Sequence, residues 1–132
     1  MKIIFSNQIS NIKKFLIYFF EVMDDIAFID LKFHKKTKSS IFFQDILKKH
    51  LKVSLFYEDE RRNYINGNFD KYIFWQVIPD FLDLIKLKNK QIIFIPMYDG
   101  LALNKIAWER YKCFNIKIVC FCKKVYDFFT DM

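Results

Sequence analysis

Asp99 is the side chain in this sequence best placed for acid–base chemistry. It follows the apolar run Ile92–Ile95 and the triplet Pro96-Met97-Tyr98, and it precedes Gly100. A carboxylate just beyond a buried strand can take a proton from a ligand hydroxyl, or simply grip that hydroxyl. It can equally cap the helix that comes next. Gln76 stands in the same relation to a second apolar run, Tyr72–Trp75. Its amide can contact a ligand or pair with loop backbone. Ser6 and Asn7 follow a third run, Lys2–Phe5. Amides and acids hold hydroxyls, and aromatic faces cover C–H surfaces, so this inventory suits a sugar. Asp99 is therefore the candidate catalytic residue. Ser6, Asn7, Trp75, Gln76, Met97 and Tyr98 are the candidate substrate-binding residues, and no metal ligand set is expected.

These residues share one position, the carboxyl end of a strand. The central stretch Asp70–Gly100 explains why. Its two apolar runs are short, rich in β-branched and aromatic residues, and fit strands buried on both faces. Between them Phe81, Leu82, Ile85 and Leu87 fall near helical spacing, with Pro79 by the first turn and lysines at the end. Strand, helix, strand is a βαβ unit, and open α/β sheets bind ligands at the carboxyl ends of their strands.

The same grammar extends over the chain. Lys2–Phe5 reads as a strand. Ile9–Met23 reads as a helix with Ile12, Phe15, Leu16, Phe19, Phe20 and Met23 on one apolar face. A strand is expected near Ile26–Phe33, its alternation broken by Asp30. A basic loop follows from His34, with His34 itself solvated. Ser39 or Ser40 can cap a helix over Ile41–Leu51. Lys52–Tyr57 is a strand, and Glu58–Asn63 a charged loop whose acids pair with Arg61 and Arg62. Tyr64–Asn68 is a turn centred on Asn66-Gly67. Beyond the central unit come a helix over Leu103–Phe114 (core positions Ile106, Ala107, Arg110 or Tyr111, and Phe114), a strand over Asn115–Phe121 and a helix from Lys123. The fold class expected is α/β: one Rossmann-like domain over residues 1–132, a mainly parallel sheet of about six strands with helices on both faces.

Composition narrows the function. Hydrophobic residues are 53% of 132, enough for a real core. Two glycines leave no glycine-rich phosphate loop, so dinucleotide binding fails at the first turn. Nor does an acidic cluster follow the first strand, as a magnesium-holding receiver module would need. The net charge is +7, mostly from lysines among aromatics. That suits solvated faces, or a surface meeting an anionic membrane or acidic glycan. Nucleic acid is not expected, since no arginine stripe or zinc-finger spacing occurs. Three cysteines, Cys113, Cys120 and Cys122, and no leader segment fit a reducing cytosol, with the thiols buried in the core. No transmembrane helix is evident, because Lys13, Lys14 and Glu21 interrupt the most apolar segment.

Ile73-Phe-Trp-Gln and Ile95-Pro-Met-Tyr-Asp resemble segments of the amino-terminal domain of GT-B glycosyltransferases. The resemblance is best from Glu58 to Asp127, with the closing Cys-Phe-Cys-Lys-Lys-Val-Tyr-Asp-Phe, and points to bacterial members acting on surface polysaccharides. It implies an acceptor-binding half of an enzyme that moves a sugar from a nucleotide-sugar donor to a glycan or lipid-linked acceptor. It also implies that Cys122, where related sequences often carry serine, is not a needed thiol. The donor-binding domain of that family is missing here, so the chain is expected to be inactive alone: a fragment, or one half of a split enzyme. No cofactor is expected. A separate donor-binding domain or subunit, and peripheral contact with an anionic membrane, are the partners implied. The location implied is cytoplasmic, at the inner membrane face. The competing expectation is a non-catalytic α/β interaction or small-ligand module with a basic surface.

Overall fold

The computed structural model describes residues 1–5, 24–96 and 104–132. Its described residues form a six-stranded sheet, and every neighbouring pair of strands is parallel. The strands are β1 (Lys2–Phe5), β2 (Asp25–Asp30), β3 (Lys52–Tyr57), β4 (Lys71–Trp75), β5 (Gln91–Ile95) and β6 (Ile116–Cys120). Their order across the sheet is β1-β6-β5-β4-β2-β3. The helices are α1 (His34–Thr37), α2 (Ile41–His50), α3 (Arg61–Asn66), α4 (Phe81–Lys86), α5 (Lys105–Glu109) and α6 (Lys123–Thr130). Short 3-10 turns occupy Glu58–Glu60 and Arg110–Cys113.

The central strands are buried on both faces, as their continuous apolar runs require. Alternate residues enter separate cores. Ala27, Ile29, Tyr72, Phe74, Ile92, Phe94, Ile116 and Ile118 pack with Leu84, Trp108, Val125 and Phe129. Ile26, Phe28, Ile73 and Ile93 pack on the other side with Phe43 and Leu47 of α2. Each large apolar side chain so buried contributes about 1.5–3 kcal/mol. Buried hydroxyls find partners: Tyr72 donates to the Tyr64 carbonyl at 3.1 Å and Tyr111 to the Pro79 carbonyl at 3.0 Å.

Among the described strands the winding reverses once. From β2 the chain steps outward to β3 with α2 on one face. From β3 it returns past β2 to β4, then runs on to β5 and β6, with α3, α4 and α5 on the other face. Reversing both direction and face preserves a single crossover hand. The reversal falls between β2 and β4, and such switch points open a crevice at the carboxyl ends of the strands.

The α/β class and parallel sheet agree with the sequence reading, but four details differ. The β2 strand stops at Asp30, because that carboxylate recruits the following segment into α1 in place of a loop. Glu58–Asn66 is helical rather than loop and turn. There Gly67 is needed for space, not for φ: a Cβ would collide with the Phe69 ring. The α4 helix is rotated from its expected face, leaving Leu82 63% and Ile85 46% exposed while Asp83 and Leu84 are buried. On α5, Ile106 is exposed and Trp108 takes the core position, stacked on Phe94 at 5.6 Å. In both helices the bulkier or better-paired side wins the interior. The expected helix over Ile9–Met23 lies outside the described residues.

Candidate functional site

The β2 and β4 strands end side by side, with Asp30 opposite Trp75 in the register. Both side chains lie on the α2 face of the sheet. Asp30 has the parity of Ile26 and Phe28, and Trp75 packs against that same cluster. Consecutive residues of α2 hold the two: Phe43 stacks on Trp75 with ring centroids 4.5 Å apart, while Gln44 donates to Asp30 at 3.0 Å.

Asp30 is wholly buried, and four donors meet its carboxylate. Oδ1 accepts from the Leu31 backbone N–H at 2.8 Å and from His34 Nδ1 at 2.5 Å. Oδ2 accepts from Gln44 Nε2 and from the Ser40 hydroxyl. Ser40 occupies the N-cap of α2 as the sequence suggests, yet its hydroxyl does not bond the helix backbone. The hydroxyl donates its hydrogen to the charged carboxylate, and its oxygen accepts from Gln44 Nε2 at 2.9 Å. The carboxylate also sits at the start of the ten-residue α2, where the helix dipole favours negative charge.

This arrangement fixes the histidine. Where the Asp30 carboxylate is ionised it only accepts, so the hydrogen of this bond lies on Nδ1, and a neutral ring then holds its lone pair on Nε2. Among the described residues Nε2 makes no hydrogen bond. His34 is 8% exposed, far from the solvated loop residue the sequence suggested. An oriented imidazole with one free nitrogen can take a proton from a ligand hydroxyl. The sealed Trp75 Nε1, without a partner among the described residues, is an unspent hydrogen bond of the kind that costs about 1–3 kcal/mol.

Of the residues expected from sequence, the structure places Trp75 and Gln76 at this rim. Phe43 already covers one face of the Trp75 indole, and half-exposed Phe121 meets the ring edge-on at 6.4 Å. Gln76 ends β4 in the left-handed region (φ 61°), its backbone N–H donating to the Ile95 carbonyl at 2.9 Å. Ser6, Asn7, Met97, Tyr98 and Asp99 lie outside the described residues. Asp30 and His34 were not expected as a pair. The available signal was an acid closing the apolar run Ile26–Ile29, with a histidine four residues later.

Charges around the rim are paired differently from the sequence reading. Asp59 faces Lys32 at 3.2 Å and Lys35 at 3.8 Å rather than Arg61 or Arg62. The Lys32 hydrogen bond, aided by Lys35, holds the Asp59 carboxyl below the usual range. Lys35 also lies 4.4 Å from the Tyr57 ring centre. Burial first, then Asp30 and Glu60, push the Tyr57 hydroxyl up. Arg61 instead binds Asp80 at 3.2 Å and the buried Asp83 at 2.7 Å, beside a groove of about 390 Å³ lined by Arg62, Asn66 and Lys86.

Cys120 is buried and Cys122 half-buried, but Cys113 is exposed, contrary to the expectation of three core thiols. Among the described residues no three His, Cys, Asp or Glu side chains converge as metal ligands, and no helix is long and apolar enough to cross a membrane. Comparison with family models, with curated proteins and with solved structures gives no match for this chain.

Proposed function

We propose that the chain is the acceptor-side domain of a glycosyltransferase, in which His34, oriented by Asp30, activates the acceptor hydroxyl. The observation that carries the reading is the Asp30–His34 pair at the switch point, next to Trp75. In the proposed step the hydroxyl proton moves to His34 Nε2. The freed oxygen pair bonds the anomeric carbon of the nucleotide sugar, and the bond from that carbon to the phosphate oxygen breaks. The nucleoside diphosphate leaves with those electrons. A separate domain or subunit supplies the donor. Trp75 and Gln76 line the acceptor side, and Asp99 is the further candidate for a hydroxyl contact.

A panel of methyl glycosides and short oligosaccharides, titrated while the His34 ring and Trp75 indole signals are followed by NMR, tests this. A saturable shift of both is expected. His34→Gln should keep glycan binding and, with the donor half added, reduce transfer by about 10²–10⁴. No shift with any glycan would overturn the reading.

A second reading, a non-catalytic ligand or interaction module, is favoured by the saturation of Asp30. Four donors on one carboxylate also make a structural clamp. On that reading Asp30 and His34 variants lower stability and change nothing else.

A further inference from the structure

The inward side of the segment from Lys32 to Phe42 builds the candidate site. His34 and Ser40 are buried there, with Phe43 and Gln44 just beyond the segment. Its outward side is unusual. Phe33 is 65% exposed, Phe42 77% and Ile41 41%. The same eleven residues hold Lys32, Lys35, Lys36 and Lys38 and no acid. Asp59 pairs with the first two from outside the segment and offsets one of their charges. Lys36 and Lys38 are exposed, with no ion pair among the described residues. Nor is the segment a loose loop. The Lys38 N–H donates to the His34 carbonyl at 2.8 Å, Ile41 N–H to the Lys38 carbonyl at 3.2 Å, and Lys38 turns the chain at φ 54°. With the polar side chains bound to Asp30, the aromatics are held outward.

We infer that this face docks on an anionic lipid surface. Exposed aromatics ringed by lysines match the headgroup boundary, where rings enter the interface and ammonium groups meet lipid phosphates. A protein partner would favour a patch depleted of lysine at its centre. The overall charge of +7 adds long-range attraction to the same surface. Because the segment also carries His34, docking brings the site to the membrane plane. The docking itself is independent of the sugar reading.

The test is co-sedimentation of the full chain with phosphatidylcholine vesicles, with and without phosphatidylglycerol. Binding is expected on the anionic vesicles and at least tenfold weaker on neutral ones. A basic side chain near such a surface is worth about fivefold, so Lys36→Glu/Lys38→Glu should weaken binding about 25-fold or more. Phe33→Ser/Phe42→Ser should weaken it even at low salt, where screening is slight. Lys48→Glu/Lys49→Glu, at the far end of α2, serves as the charge control and should have a smaller effect. Circular dichroism and urea midpoints of every variant should match the parent, as the positions are exposed. The inference is overturned by absence of vesicle binding, by an equal loss in the control pair, or by an unchanged Phe33→Ser/Phe42→Ser variant. It is also overturned if the patch variants abolish a dimer or RNA binding while leaving vesicle binding intact.

Discussion

Replacing Asp30 by alanine is the most informative single perturbation. The carboxylate accepts from His34 Nδ1, Ser40, Gln44 and the Leu31 N–H, and the three side chains are each at most 8% exposed. A buried donor left without its acceptor costs about 1–3 kcal/mol. Not all four are stranded: Gln44 Nε2 already donates to Ser40 Oγ at 2.9 Å and can keep that bond, and the N–H of half-buried Leu31 can turn to water, which leaves His34 and Ser40. Two net losses give roughly 3 kcal/mol, a large share of the ~5–15 kcal/mol that holds a domain of this kind. With a urea slope of about 1.5 kcal/mol per molar, the midpoint should fall by about 2 M. Asp30→Asn should cost less, because one amide oxygen still accepts while the NH₂ faces donors. Asp25→Ala, which removes an exposed pair with Lys52 at 2.6 Å, should stay within about 1 kcal/mol of the parent. Urea unfolding followed by circular dichroism measures all three. A loss below about 1 kcal/mol for Asp30→Ala, or a loss equal to that of Asp25→Ala, would refute the clamp at the base of the site.

Three further outcomes are expected. Burial pushes the Cys120 thiol and the Tyr64 hydroxyl up to about 12 from ordinary values of 9.0 and 10.0. Above pH 9 the unfolded chain therefore gives up these protons before the folded one does, and stability should fall as pH rises from 9 to 12, by up to about 1.4 kcal/mol per pH unit for each group. Urea midpoints across that range, shallower in Cys120→Ala, check this, and a thiol reagent should label Cys113 first and Cys120 only on unfolding. Arg61→Leu strands the buried Asp83 carboxylate and should lower the urea midpoint, whereas Arg61→Leu/Asp83→Leu should recover most of the loss, because a paired replacement leaves no uncompensated charge. Gln76→Gly should hold or slightly raise stability, while Gln76→Val, a β-branched residue at φ 61°, should lower it by about 1–2 kcal/mol in the same assay.

Strand identity and sheet class were legible because their causes are local. Runs such as Tyr72–Trp75 and Ile92–Ile95 are short, rich in β-branched and aromatic residues and closed by a polar residue or proline, which fits central parallel strands, and Lys52–Tyr57 appears with the bounds its alternation suggests. Trp75 and Gln76 could be placed at a strand end for the same reason. What the chain could not reveal was which strand ends meet. Asp30 looked like a defect in a strand and His34 like one more residue of a basic loop. Their role depends on β2 and β4 being neighbours and on α2 bringing Ser40 and Gln44 to the carboxylate, from ten and fourteen positions away. Helix rotation was hidden likewise, since Leu82 is as apolar as Leu84, and Ile106 as well as Trp108 can face a core, until the packing partner is known. Sequence by itself determined which segments must leave water. Only the tertiary structure decided which polar groups go with them, because a buried charge is tolerated only where distant donors converge to satisfy it.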